Sequence, residues 1–153
     1  MDQELFKQSY FQLFRQVMFA FLNRATDMLK VYDIHPSQAG LLLYVESHEG
    51  QTQKEIANAL HVKPPTTATM ITRMEKRNFL VRCQDENDRR KSRIFTTEYG
   101  REVCDFVKDM VEAGEREMQV VFTEEENQRI KEYMVKMIRY LETAESKSSK
   151  SED

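Results

Sequence analysis

The chain has no Gly or Pro before Pro36, and its early apolar positions recur at helical spacing. Phe6, Tyr10, Leu13, Val17, Phe21 and Met28 fall three, four or seven apart, which predicts an amphipathic helix over residues 4–32. Phe11, Phe14 and Phe19 lie off that line. The apolar stripe is therefore wide, and the helix needs cover on more than one side. His35-Pro36-Ser37 opens a second helix, with Pro36 suited to its first turn. The run from Leu41 to Val45 makes that helix almost wholly apolar and hence buried, and Gly50 closes it.

Thr52-Gln53-Lys54-Glu55 has the form of a capping box ahead of a short helix carrying Ile56, Ala57 and Leu60. His61-Val62-Lys63 is a three-residue break. The next helix starts at Pro64 or Pro65 and runs to about Arg77, with Met70, Ile71 and Met74 as its apolar side. Asn78 tolerates the left-handed conformation that terminates a helix. Two short runs, Phe79–Cys83 and Arg93–Thr96, flank a charged stretch and predict a β-hairpin with a long polar tip. Thr97 can cap a long helix to about Val121, and Thr123-Glu124-Glu125-Glu126 is a second capping box before a final helix with Ile130, Met134, Met137 and Leu141 in line. Residues 146–153 are polar and predict a disordered tail.

A short capped helix, a tight turn, a second helix and a charged hairpin together predict a winged helix-turn-helix over residues 36–96. The fold class is mainly α with a small β-hairpin wing, in one domain spanning 1–153.

Composition at first argues against nucleic acid, because the net charge is -3. The distribution reverses that picture. Residues 63–101 carry 10 Lys/Arg against 5 Asp/Glu, while residues 1–62 carry 5 against 7 and residues 102–153 carry 8 against 14. A basic centre between acidic flanks is the electrostatic footprint of a nucleic-acid binder. If Met70, Ile71 and Met74 face inward, the opposite face of their helix presents Pro65, Thr66, Thr69, Thr72, Arg73 and Lys76. Small Thr side chains let a helix sit deep in a major groove and bond base edges, and Arg73 can read guanine or hold a phosphate. At the hairpin, Arg89, Arg90, Lys91 and Arg93 crowd together, with Asp88 two positions before Arg90. A carboxylate can fix such an arginine, and an arginine at a hairpin tip suits a narrow minor groove.

From Asp88 to Gly100 the chain reads D-R-R-K-S-R-I-F-T-T-E-Y-G, which resembles the wing and long-helix entry of the multiple-antibiotic-resistance regulator (MarR) family. That family's Asp-x-Arg pair falls on Asp88 and Arg90, and its L-T-x-x-G on Thr97 and Gly100 with Phe95 and Thr96 around the usual leucine. Gln53-Lys54-Glu55-Ile56-Ala57 resembles the first helix of its reading motif, and Thr69 to Arg77 its recognition helix. Two positions depart from the pattern. Lys63-Pro64-Pro65 stands where a polar cap is usual, and Asn78 where glycine is common.

The resemblance implies a homodimer joined through residues 4–32 and 97–141. It also implies a repressor that binds a pseudo-palindrome in double-stranded DNA in the cytoplasm and is released by a small phenolic or otherwise amphipathic effector. Phe14, Arg15, Met18, Phe19, His35 and Tyr44 are the candidate effector contacts.

Other functions find little support. The three histidines are scattered and offer no metal-ligand spacing, so neither a metal site nor another cofactor is expected. No nucleophile-base pair, phosphate loop or zinc-hydrolase motif argues for an enzyme. No apolar run approaches the length of a membrane helix, and the N-terminus has no signal-peptide pattern. Cys83 and Cys104 are expected as buried, inert thiols. The alternative function is a winged helix that binds protein only, which would not need the Asp88/Arg90 wing.

Overall fold

Local chemistry sets each helix start in the computed structural model, which describes residues 6–85, 88 and 90–148. Helix α1 spans Tyr10–Leu29 and continues into a 3-10 turn at Lys30–Tyr32. It begins later than its apolar pattern predicts. Ser9 holds an extended backbone and its hydroxyl accepts from the Gln12 N–H, so a cap interrupts the helix at this point. Helix α2 covers Pro36–Ser47 with Pro36 in its first turn. The His35 ring accepts from the Ser37 N–H, and the His35 N–H donates to Gln38 Oε1 at 3.0 Å. Gly50 lies beyond the end of α2. Its φ of 79° turns the chain into strand β1, Gln51–Thr52, a strand absent from the sequence-based expectation.

Helix α3, Gln53–Ala59, forms from the predicted capping box. Thr52 Oγ1 accepts from the Glu55 N–H and Glu55 Oε2 accepts from the Thr52 N–H. Its end is a Schellman motif in which His61 takes the left-handed position at φ 51°, Val62 N–H donating to Ala57 O and His61 N–H to Asn58 O. Helix α4 runs Pro64–Lys76. Lys63 precedes it without a side-chain cap, so Pro64 at the first position, with no N–H to satisfy, sets the start. A second Schellman motif closes α4. Asn78, at φ 60°, donates to Glu75 O and Phe79 to Met74 O.

Strands β2, Leu80–Gln84, and β3, Ser92–Thr96, pair antiparallel with Leu80 opposite Thr96 and Gln84 opposite Ser92. Strand β1 adds to the other edge of β3, Gln51 opposite Ile94, and the sheet order is β1-β3-β2. Helix α5, Glu98–Val121, is capped by Thr97, whose Oγ1 accepts from the Gly100 N–H at 2.9 Å and donates to Asn78 O. Helix α6 spans Glu124–Ser148 behind the second capping box, closed between Thr123 and Glu126. Residues 146–148 are thus helical where a polar tail was expected, since no Gly or Pro interrupts the run from Glu142 to Ser148. Residues 149–153 lie outside the described ones.

Two compact units divide within α5, the first ending at Val107 and the second starting at Lys108. The first has a continuous apolar core: Leu29, Leu41, Leu42, Val45, Ile56, Ile71, Met74, Phe79, Ile94, Val103 and Val107 are all buried. Thr67, on the inner side of α4, is buried with them, whereas Met70 is only half-buried; Cys104 is buried as expected, but Cys83 on β2 is exposed. In the second unit, Lys131 reaches Glu115 at 2.6 Å and the Asn127 amide donates to Phe122 O.

The flanking helices leave apolar faces uncovered. On α1 only Leu29 is buried, while Tyr10, Phe11, Leu13, Phe14, Val17 and Phe21 are all exposed, Tyr10 at 89%. On α6, Tyr133, Ile138, Tyr140 and Leu141 are exposed as well. The stripes predicted from periodicity exist, and on each helix they are exposed.

Candidate nucleic-acid interface

Burial of Thr67, Ile71 and Met74 fixes the rotation of α4 about its axis. Every residue predicted for its outer face, Pro65, Thr66, Thr69, Thr72, Arg73 and Lys76, is exposed. Thr69 Oγ1 donates to Pro65 O at 3.0 Å, so this hydroxyl faces outward as an acceptor. Among the described residues, Arg73 and Lys76 make no ion pair within the chain. The helix therefore presents hydroxyls and methyls over its first turns and free cations near its end.

The wing tip is tied to itself. Asp88 Oδ1 accepts from the Arg90 N–H at 3.1 Å and from Arg90 Nε at 3.3 Å, and Lys91 Nζ stands 3.6 Å from Asp88 Oδ2. The backbone bond from Arg90 is the main cause holding the Asp88 carboxyl below its ordinary value, with the Arg90 side chain and the Lys91 charge acting the same way. The carboxylate stays ionised, and Arg90, 93% exposed, projects outward from a fixed root. Arg89 lies outside the described residues.

Arg93 is placed differently from Arg90. Its Nε donates to Asp85 Oδ2 at 2.5 Å and its Nη1 to Gly50 O at 2.8 Å. These bonds pin strand β3 to the turn before β1. Asp85, nearly fully buried, is the residue that sequence reasoning missed. Its Oδ1 accepts the Asp88 N–H, and its own N–H donates to Lys91 O, so it ties Asp88 and Lys91 to the end of β2. Its only mark in the sequence is an acid eight positions before an arginine, which becomes a contact once the hairpin register is known. Arg82 and Glu75 form a two-bond pair, at 3.2 and 3.1 Å, that ties β2 to α4. Arg77 donates to Asp33 O and Tyr32 O and pairs with the Asp33 carboxylate at 3.1 Å, fastening the end of α4 to the turn after α1. No local pattern announces these partners, because each lies seven or more residues away.

The six candidate effector residues lie on α1, at the cap of α2 and within α2. Phe14, Met18 and Phe19 are exposed on α1, and Arg15 lies 5.7 Å over the Phe19 ring while bonding Gln12. Tyr44 stacks on His48 at 4.4 Å and donates to Gln51 Oε1. His35 alone of the six lines the groove beside Arg73 and Lys76. Among the described residues no group of His, Cys, Asp and Glu could hold a metal ion, and no helix is long and apolar enough to cross a membrane.

A short helix, a left-handed turn, an exposed second helix and a three-stranded sheet with a pinned, cationic tip define a winged helix-turn-helix protein. The model of the MarR family matches residues 34–92, the segment from the start of α2 into the wing. The HTH-type transcriptional regulator SarZ of Staphylococcus epidermidis is 25% identical over 111 residues, 72% of this chain and 74% of that protein. The Staphylococcus aureus MepR–DNA complex superposes with a TM-score of 0.78 at 27% identity, covering 87% of this chain and 98% of MepR. The crystal structure of MarR gives 0.77 at 22% identity over 96% of this chain and 98% of that one, a likeness of fold. Over residues 34–92 the chain matches the MarR family model, and its fold is that of the winged-helix regulators MepR and MarR.

Proposed function

We propose that this chain is a sequence-specific DNA-binding repressor, a cytoplasmic homodimer that reads an inverted repeat. The observation that carries this reading is the outer face of α4, where Thr66, Thr69, Thr72, Arg73 and Lys76 are all exposed while Ile71 and Met74 anchor the helix beneath. The first turns of α4 enter the major groove, and Arg90, rooted by Asp88, enters the flanking minor groove. Asp85 and Arg93 hold the wing for that approach. The uncovered apolar faces of α1 and α6 support association with a second copy. Two recognition helices related by the dimer axis then fall in successive major grooves, about 34–36 Å apart.

Release follows from an effector that favours a dimer with wrongly spaced heads, and it acts only through unequal affinity for the two arrangements. Phe14, Met18 and Phe19 offer the apolar surface such a molecule needs, with Arg15, His35 and Tyr44 as polar contacts.

Selection of bound duplexes from a random pool tests the reading, followed by titration of the winner across salt. The expected result is an inverted repeat with half-sites one helical turn apart and an affinity that falls steeply with salt. Retained dimerisation with no enriched duplex would overturn it and favour a winged helix that binds protein.

A further inference from the structure

The outer face of α4 runs into a groove that the helix and wing do not account for. A cavity of about 500 Å3 opens between the last turns of α4, the end of α1 and the start of α2, with Lys30, His35, Gln38, Arg73, Lys76 and Arg77 in its wall. The one carboxylate lining it, Asp33, is paired with Arg77, so these two charges offset each other. Arg73 and Lys76 have no ion-pair partner among the described residues, and Lys30 has only Asp27, in an exposed pair at 2.5 Å. The start of α2, with no acid in its first turn, lines the same groove through His35 and Gln38; its Ser37, Gln38 and Ala39 N–H groups already bond His35, so what it adds is the positive end of the helix dipole. The groove suits an anion.

We propose that this groove seats a backbone phosphate of the DNA duplex, so that Lys30 and the start of α2 extend the DNA-contact surface beyond α4 and the wing. The inference rests on the DNA-reading function proposed above. Helical rise places Lys76 about 15 Å along the axis from Thr66, whereas the major groove is about 12 Å wide. A helix whose first turns meet base edges therefore brings its last turn to the lip of the groove, where the phosphates lie. A phosphate held there fixes register and carries no sequence information.

The test uses the full chain, fluorescence anisotropy, and salt titration on the selected duplex and on an unrelated duplex of equal length. Lys30→Gln removes one cation per protomer. Gln38→Glu adds a negative charge to the groove while keeping an acceptor for the His35 N–H, so the α2 cap survives, and a melting curve checks that it does. At about 0.9 per phosphate, the dimer slope should become shallower by about 2 in Lys30→Gln, so its deficit against wild type narrows about twelvefold over a fourfold rise in salt. The loss should be equal on both duplexes, and Gln38→Glu should weaken both further.

Wild-type slopes in both variants, with Arg90→Ala still weakening binding, would overturn the phosphate seat alone. Failure of the wild type to bind any duplex would overturn the DNA reading and the seat together. If the variants keep the wild-type slope, and inorganic phosphate raises the melting temperature of the wild type but not of Gln38→Glu, the groove belongs to a small free anion instead.

Discussion

Replacing Gly100 with alanine should destabilise the protein even though alanine is the better helix former. A Cβ at this position would lie 2.1 Å from Phe79 O and 2.8 Å from Thr96 Cγ2. An ordinary carbon–oxygen approach is about 3.3 Å, so helix and carbonyl must separate by about 1 Å. That carbonyl is not free to move. It accepts from the Thr97 N–H at 3.1 Å and from Thr97 Oγ1 at 3.2 Å, and the buried Phe79 ring stacks on Tyr99 with centroids 5.3 Å apart. Forced repacking costs about 1–3 kcal/mol, and weakening the two hydrogen bonds adds about 1 kcal/mol. Alanine's helix propensity returns about 1 kcal/mol. The net expectation is a loss of about 2 kcal/mol, or roughly 4–8 °C in Tm at this chain length. Gly40, on α2, is the internal control, because nothing lies within 4 Å of its added Cβ. Gly40→Ala should gain about 0.5–1 kcal/mol. Thermal unfolding followed by far-ultraviolet circular dichroism at one protein concentration measures both. Equal stabilisation by the two alanines would refute the close-approach argument.

Further outcomes follow from the same geometry. Arg90→Ala should weaken operator binding at least tenfold with an unchanged melting curve, since Arg90 is solvent-exposed and alanine keeps the backbone N–H that Asp88 accepts; electrophoretic mobility shift measures it, and unchanged affinity removes Arg90 from the interface. Thr96→Val should stabilise by about 1 kcal/mol in urea denaturation, because Thr96 Oγ1 is buried without a hydrogen-bond partner while its N–H remains bonded to Glu49. Glu55 and Glu126 are held below their ordinary value of 4.5, in each case first by the backbone N–H of the capping Thr. A depressed folded-state value means the stabilisation is present above the ordinary value and fades as pH falls through the depressed one. Stability should therefore hold down to about pH 4.5 and decline below it, and the double variant Glu55→Gln/Glu126→Gln should show a shallower decline in acid titrations.

Local signals in the sequence proved sufficient wherever the chemistry is local. Both capping boxes, Pro36 in the first turn of α2 and the left-handed Asn78 depend on residues within a few positions of one another. Period alone found Ile71 and Met74 of the inward set of α4 and put all six outward residues on the exposed face, but Met70, expected inward, is only half-buried and Thr67 is buried instead. The pattern failed where partners are distant. Strand β1 is two residues long and exists only because β3 offers an edge, so no alternation could announce it. Arg93 reads as one more cation of the wing, yet its bonds to Asp85 and Gly50 make it a pin. The start of α1 moved because Ser9, a residue with no periodic role, caps better than it continues a helix.

The distinction between pinned and free cations also corrects the charge argument. Residues 63–101 contain 10 Lys/Arg, a number that for a dimer on DNA implies a salt slope of about −18 if every one met a phosphate. Four of them are held inside the chain: Arg77 by Asp33, Arg82 by Glu75, Arg93 by Asp85 and Arg101 by Glu49. These pairs brace α4 against the turn after α1 and against the wing, the wing against itself, and α5 against the turn after α2, and their charge is already neutralised. Lys63, Arg73 and Lys76 have no ion pair among the described residues, and Arg90 and Lys91 share the one Asp88 carboxylate at the exposed tip. With Arg89 of the sequence these make six per protomer at most, giving about −11, or about −13 with Lys30 in the phosphate seat. The slope measured for the proposed dimer should be no steeper than that. A slope near −18 would mean that the internal pairs open on binding, and that the braces are contacts after all.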